Sequence, residues 1–181
     1  MKLLIASDIH GDLESMELVL NAFKNEQCDR ILLLGDLLYH GPRNDLPKTY
    51  NPKAVISLLN ENKELIMTVK GNCDGEVDQM VLDFPILADY ALLSLDSLTV
   101  FMTHGHHHNT TTPPPLKKGD NHLHAHTHIL AGEKFGSDNL YLNPGSAALP
   151  KAGNPKTYMI YEYRKFTCKD FSGNVIFEIQ L

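Results

Sequence analysis

The sequence predicts an α/β fold of two packed, mixed β-sheets flanked by helices. Three observations carry this. The first half alternates buried-type strands with amphipathic helices. The second half breaks into short strand-like runs separated by turn residues. The chain has 181 residues, 43% hydrophobic and 21% charged, enough for one sizeable core in an ordinary globular balance.

Lys2 to Ala6 reads as the first strand and runs into Ser7-Asp8-Ile9-His10-Gly11-Asp12. Leu13, Met16, Leu20 and Phe23 then recur at helical spacing, which predicts a helix over Leu13 to Lys24. Ile31 to Leu34 is a short continuous apolar run, the pattern of a strand covered on both faces. It ends in Gly35-Asp36. A carboxylate there is costly to bury unless a partner or a metal ion compensates it. Asn51 is expected to cap a helix with Pro52 at its first position. That helix carries Val55, Ile56, Leu58 and Leu59. Leu65 to Val69 reads as a third strand, ending in Lys70-Gly71-Asn72-Cys73-Asp74. Strand alternating with helix implies parallel crossovers and ligands at the carboxyl ends of the strands.

Glu76 to Leu82 reads as a short helix, stopped near Phe84-Pro85. The strand-like runs that follow are Tyr90 to Leu95, Leu98 to Thr103, His122 to Ala125, Leu140 to Leu142, Tyr158 to Tyr163, Lys165 to Lys169 and Val175 to Ile179. This half is expected to be antiparallel. Asn109 to Gly119, with its Thr and Pro triplets, is expected to be a mobile surface loop. No repeat or linker divides the chain, so 1–181 is expected to form one domain.

The formal net charge of −6 argues against a nucleic-acid-binding surface but allows a small phosphorylated substrate held by metal ions. Cys28, Cys73 and Cys168 are widely spaced and odd in number, so free thiols and a cytoplasmic location are expected. The N-terminal apolar run is too short for a signal-peptide core, and no stretch approaches the roughly 20 apolar residues of a membrane span.

The chemistry gathers at strand ends. Asp8 and His10 are two apart, as are His126 and His128, a spacing that aligns side chains in extended chain. Asp36, Asn72 and His104 each close another strand. The triplet His106-His107-His108 reads as a polar, solvated loop. Two carboxylates, one amide and four imidazoles suit Mn²⁺, Fe²⁺ or Zn²⁺, and soft thiolate ligands are absent. Seven side chains exceed one tetrahedral zinc site. They fit two ions about 3.5–4 Å apart that share a carboxylate.

In this order, Asp8-Ile9-His10, Gly35-Asp36, Gly71-Asn72, His104 and His126-Thr127-His128 resemble the signature of the calcineurin-like metallophosphoesterases. Within that family the chain is similar to the bacterial YfcE-type phosphodiesterases. The residues that carry this are His40-Gly41-Pro42-Arg43-Asn44, Gly71-Asn72-Cys73-Asp74, Glu76-Val77-Asp78-Gln79-Met80, Asn143-Pro144-Gly145-Ser146, and Lys151 with Gly153-Asn154-Pro155. The resemblance implies phosphoester hydrolysis with two divalent ions, Mn²⁺ foremost and Fe, Zn or Ni as alternatives. It implies one ion on Asp8, His10, Asp36 and His128, and the second on Asp36, Asn72, His104 and His126. It also implies a homo-oligomer, dimer or tetramer. Two positions depart from the pattern. Ala125 replaces the usual glycine before His126. Cys73 stands where many members have a histidine assigned to protonating the leaving group.

Asn72 and Cys73 are therefore the expected catalytic side chains. His40, Arg43 and Asn72 are the expected substrate contacts. A thiol is a poor acid for an alkoxide near neutral pH, since its unperturbed pKa is about 8.5. This favours a small phosphodiester with a good leaving group over a monoester. The alternatives are a phosphomonoesterase on the same fold and a non-catalytic binding scaffold.

Overall fold

The computed structural model describes residues 1–136 and 138–181. Strands β1 (Leu3–Ala6), β2 (Arg30–Leu33) and β3 (Ile66–Thr68) are parallel neighbours. They are joined by α1 (Leu13–Asn25) and α2 (Pro52–Glu61). On the other side of β1 lie β9 (Thr157–Glu162), β10 (Lys165–Asp170) and β11 (Val175–Gln180), each antiparallel to its neighbour. The sheet order is β11-β10-β9-β1-β2-β3.

The apolar residues of β1 and β2 are buried on both faces because each face meets a different layer, whereas Met67 of β3 is 43% exposed. Leu4, Ala6, Ile31 and Leu33 pack under Met16, Val19 and Leu20 of α1 and Val55 and Leu59 of α2. Leu3, Ile5, Leu32 and Leu34 point the other way, into a core shared with Val100, Met102, Leu123 and Leu142 of a second sheet. Period-two alternation thus serves two cores at once. The caps behave as expected: Asn51 Oδ1 accepts the Ala54 N–H at 3.2 Å, with Pro52 opening α2. The predicted helix after Asp74 forms only over α3 (Glu76–Gln79).

The second sheet comprises β4 (Tyr90–Leu95), β5 (Leu98–Thr103), β6 (Asn121–Leu123), β7 (Ala131–Phe135) and β8 (Asn139–Asn143), in the order β4-β5-β6-β8-β7. It is not antiparallel throughout, as the sequence had suggested. β5, β6 and β8 are parallel to one another, and only the edge pairs are antiparallel. Strand composition does not encode direction. The long segment 104–120 has the length of a crossover and returns the chain to the start of a parallel neighbour without a helix. β7 was not expected. Its Ala-Gly-Glu-Lys-Phe sequence lacks alternation, and its charged residues suit an edge strand. The helices cover only the first sheet, so Tyr90 and Leu92 on the second are 54% and 60% exposed. Among the described residues no helix is long and apolar enough to cross a membrane.

The parallel pairing of β5 and β6 matters for the site. It puts the carboxyl ends of both strands at one edge, so His104 and His126 leave their strands side by side. An antiparallel pair would have put them at opposite ends.

Candidate metal centre

The loops after β1 and β2 are laced together by backbone hydrogen bonds. Asp8 N–H donates to Gly35 O (3.2 Å), His10 N–H to Asp36 O (2.9 Å) and Gly11 N–H to Leu37 O (2.9 Å). Gly35, at φ +93°, lies against Gly71, and a Cβ on either residue would strike its neighbour. For Gly35 that neighbour is the Gly71 backbone; for Gly71 it is the Asp36 carboxylate. Both positions therefore need glycine.

All seven expected ligands converge. His128 Nε2 is 3.2 Å from Asp8 Oδ1 and 3.2 Å from His10 Nε2. His10 Nε2 is 3.7 Å from both Asp8 Oδ1 and Asp36 Oδ2. On the other side of Asp36, His104 Nε2 lies 3.4 Å from Oδ2, 3.0 Å from Asn72 Oδ1 and 3.2 Å from His126 Nδ1. Asp36 is thus shared by two groups of side chains. Among the described residues, three groups bring their ligand atoms close enough together to hold an ion: Asp8, His10 and His128; His10, Asp36 and Cys73; and Asp8, Asp36 and His104.

The convergence does not arise from extended backbone. Asp8, His10, Asp36, His126 and His128 have φ between +50° and +66°, the left-handed region. Single left-handed residues at strand ends, rather than i and i+2 alternation, turn these side chains inward. Such backbone costs roughly 1–3 kcal/mol per residue and clusters at functional sites.

The donor set fits a cation. Both Asp8 carboxylate oxygens are buried and accept no hydrogen bond. Backbone carbonyls accept only, so the ring nitrogens that face them carry the protons. His10 Nδ1 donates to Tyr39 O (2.8 Å), His128 Nδ1 to Leu149 O (2.7 Å) and His104 Nδ1 to Leu34 O (2.6 Å). In their neutral form the three rings aim Nε2 lone pairs at one another and at carboxylate and amide oxygens. Acceptors facing acceptors in a buried site call for positive charge between them, and carbonyl-anchored imidazoles are the usual support of metal ligands. Positive charge is favoured at this point, whether a cation or a proton on His104 supplies it. Burial would raise the Asp36 carboxyl, yet the His104 ring and the Cys73 N–H (2.8 Å) hold it well below the carboxylate range. Burial opposes charge on His104, but Asp36 and Asp8 push its pKa up to about 9. Burial and neighbouring imidazoles bring His106 down to about 4.

The remaining expected residues separate. Asn72, Cys73 and Arg43 line a cavity of about 410 Å³ over the centre. His40 is not on its wall; its ring packs edge-on against Tyr39 and Tyr50. Asn72 Nδ2 donates to Cys73 Sγ at 3.2 Å. Burial, followed by the Asp36 charge, raises the Cys73 thiol far above its ordinary value, so it stays protonated.

Sequence reasoning missed three positioning residues. Asp74 accepts the backbone N–H groups of Asp36 (2.8 Å), Leu37 (2.9 Å) and Gly71 (2.8 Å), tying the ends of β2 and β3 together. Ser146 Oγ donates to Asp8 O (3.0 Å). Asn143 Nδ2 donates to Ala125 O (3.1 Å) and Thr127 Oγ1 (3.0 Å). The signal available was that each lies inside a motif already quoted, two residues after Asn72 or within Asn143-Pro144-Gly145-Ser146.

Comparison with known proteins shows the family. Residues 1–165 match the family described as the calcineurin-like phosphoesterase superfamily domain, and the chain belongs to that family. It is 44% identical over 158 residues to phosphodiesterase YfcE of Escherichia coli, covering 87% of this chain and 85% of that protein. The solved structure of E. coli YfcE, described as a phosphoesterase, superposes with a TM-score of 0.95 at 39% identity, over 99% of this chain and 98% of that one. Phosphodiesterase MJ0936 of Methanocaldococcus jannaschii is 27% identical over 163 residues, 86% of this chain and 89% of that protein.

Proposed function

We propose that residues 1–181 form a single metal-dependent phosphodiesterase domain that hydrolyses a small phosphodiester. The observation that carries this is the buried, unpartnered Asp8 carboxylate facing lone pairs of His10 and His128, with Asp36 shared toward His104. Membership of the phosphoesterase family, and relatives named phosphodiesterases, support the same reading. One divalent ion would be held by Asp8, His10, Asp36 and His128. A second would be held by Asp36, Asn72, His104 and His126. Mn²⁺ is the first choice, with Fe, Zn or Ni as alternatives. Such a pair supplies Lewis-acid charge at the phosphoryl oxygens and lowers the pKa of the attacking water.

The chain's own groups do the rest. Asp36 and the three carbonyl-anchored imidazoles keep the centre rigid. Asn72, at the cavity wall, keeps Oδ1 on the His104 side and offers its amide N–H to a phosphoryl oxygen. Hydrolysis forms a phosphorus–oxygen bond from water and breaks the one to the leaving oxygen, which must take up a proton. Cys73 is too weak an acid to supply it, so substrates with good leaving groups are favoured. A cytoplasmic homo-oligomer, dimer or tetramer, without a nucleic-acid-binding surface, completes the proposal.

The test is steady-state hydrolysis of a bis-aryl and a mono-aryl phosphate by the Mn²⁺-loaded protein. The diester should be strongly preferred, and Asp36→Ala should abolish the activity because it removes a ligand of both ions. A preference for the monoester, or full activity in metal-saturated Asp36→Ala, overturns the reading.

A further inference from the structure

Two cations line the cavity over the centre, Arg43 and Lys151, from separate loops. Among the described residues no carboxylate pairs with either, and these two cations are the ones on the cavity wall. Both loops are built turns. The Lys151 N–H donates to His128 O at 3.1 Å, and its carbonyl accepts from Asn154 N (3.1 Å) and Asn154 Nδ2 (2.9 Å). The Arg43 loop is closed by Asn44 Nδ2 donating to His40 O at 2.8 Å. Its Gly41 lies so close to Cys73 that a Cβ would stand 3.1 Å from Sγ. The backbone that carries each cation is therefore anchored to the site, one loop through the carbonyl of an expected metal ligand and the other beside the thiol.

A phosphodiester carries one negative charge at its phosphorus. The proposed ions and the Asn72 amide already answer it. Two further uncompensated cations in a protein of net charge −6 are a local field for more negative charge. A cavity of about 410 Å³ has room for a substituent beyond one phosphate group. We infer that the substrate is a phosphodiester whose retained arm carries a second anionic group, a phosphate or a carboxylate, held by Arg43 and Lys151. This rests on the phosphodiesterase reading above.

The probes are nitrophenyl phosphodiesters that share one leaving group and differ only in the other arm. The arm ends in a methyl group, a carboxylate, a non-hydrolysable phosphonate or a trimethylammonium group. With the Mn²⁺-loaded wild type, kcat/KM should be about tenfold higher for the anionic arms than for the methyl arm, chiefly through KM. It should be lower for the cationic arm. The preference should shrink as salt is raised. Lys151→Gln and Arg43→Gln should each reduce the ratio of anionic-arm to methyl-arm kcat/KM, whatever they do to the methyl-arm rate. Which anionic arm is preferred tells phosphate from carboxylate. Hydrolysis of all four diesters at equal kcat/KM, or a preference that both variants leave intact, overturns the inference alone. No hydrolysis of any diester overturns the phosphodiesterase reading and the inference with it.

Discussion

At the scale of single residues, Asp74 organises more of the site than its position would show. It contacts no expected ligand side chain, yet it holds the backbone of Asp36, Leu37 and Gly71. Burial pushes its carboxyl up to about 6, against the three N–H donors that favour its charge. Asp74→Ala would leave those donors buried without an acceptor, at a cost of roughly 3 kcal/mol. Denaturant unfolding should show a lower midpoint at an unchanged slope. A midpoint equal to that of the wild type would mean that water or another group replaces the carboxylate. Ser146 and Asn143 act in the same way on Asp8 and on the loop that carries His126 and His128. The sequence points to the seven expected ligands because their residue types are chemically unusual at strand ends. It is silent on the braces, because an Asp, Ser or Asn in a turn looks like any other turn residue.

At the scale of elements, Glu26 ties four of them together at the end of α1. Its Oε1 accepts from Lys169 Nζ of β10 (2.6 Å) and from Tyr158 Oη of β9 (3.0 Å). Its Oε2 is 3.3 Å from Lys2 Nζ at the start of β1. Burial would raise the Glu26 carboxyl, but Lys169 and Tyr158 outweigh it and lower the pKa below the ordinary value. A carboxyl depressed in the folded state contributes stability that is present above its unfolded pKa and lost as pH falls through the folded one. Glu26→Gln should therefore cost about 1 kcal/mol at pH 7, the interaction being partly solvated. The difference from wild type should close below about pH 4. Thermal unfolding at both pH values checks this, and a gap that widens on acidification would reverse the sign of the argument. The gap at Asp96-Ser97 was legible between two strand-like runs, whereas Tyr163 read as part of the strand before it. Asp96-Ser97 and Tyr163-Arg164 occupy left-handed backbone, joining β4 to β5 and β9 to β10 by two-residue loops without the Asn-Gly or Asp-Gly pairs that usually mark them.

At the scale of the whole molecule, the fold gathers negative charge and lone pairs into one buried point and leaves both Asp8 oxygens without donors. A protein built in this way gains stability from whatever cation it binds. Saturating Mn²⁺ at a hundredfold excess over Kd should add about 2.7 kcal/mol to the unfolding free energy. After chelation and dialysis the thermal midpoint should fall, and added Mn²⁺ should restore it in the wild type but far less in Asp8→Ala. A midpoint indifferent to chelator and to Mn²⁺ in the wild type would count against a metal centre at this place.

The sequence alone determined the two-sheet α/β class and the apolar strands β1 and β2, and it picked out seven side chains that the fold brings together. Those features are local: apolar runs, helical spacing, and rare polar residues where a strand stops. The tertiary structure decided how these residues meet. It turned β6 and β8 parallel to β5, so that His126 emerges beside His104. It also bent five of the expected ligands into left-handed backbone that extended strands do not supply. Strand direction depends on how a long connection returns to the sheet, and left-handed φ at a non-glycine residue is sustained only by surrounding contacts. Neither is written in the local pattern of residues.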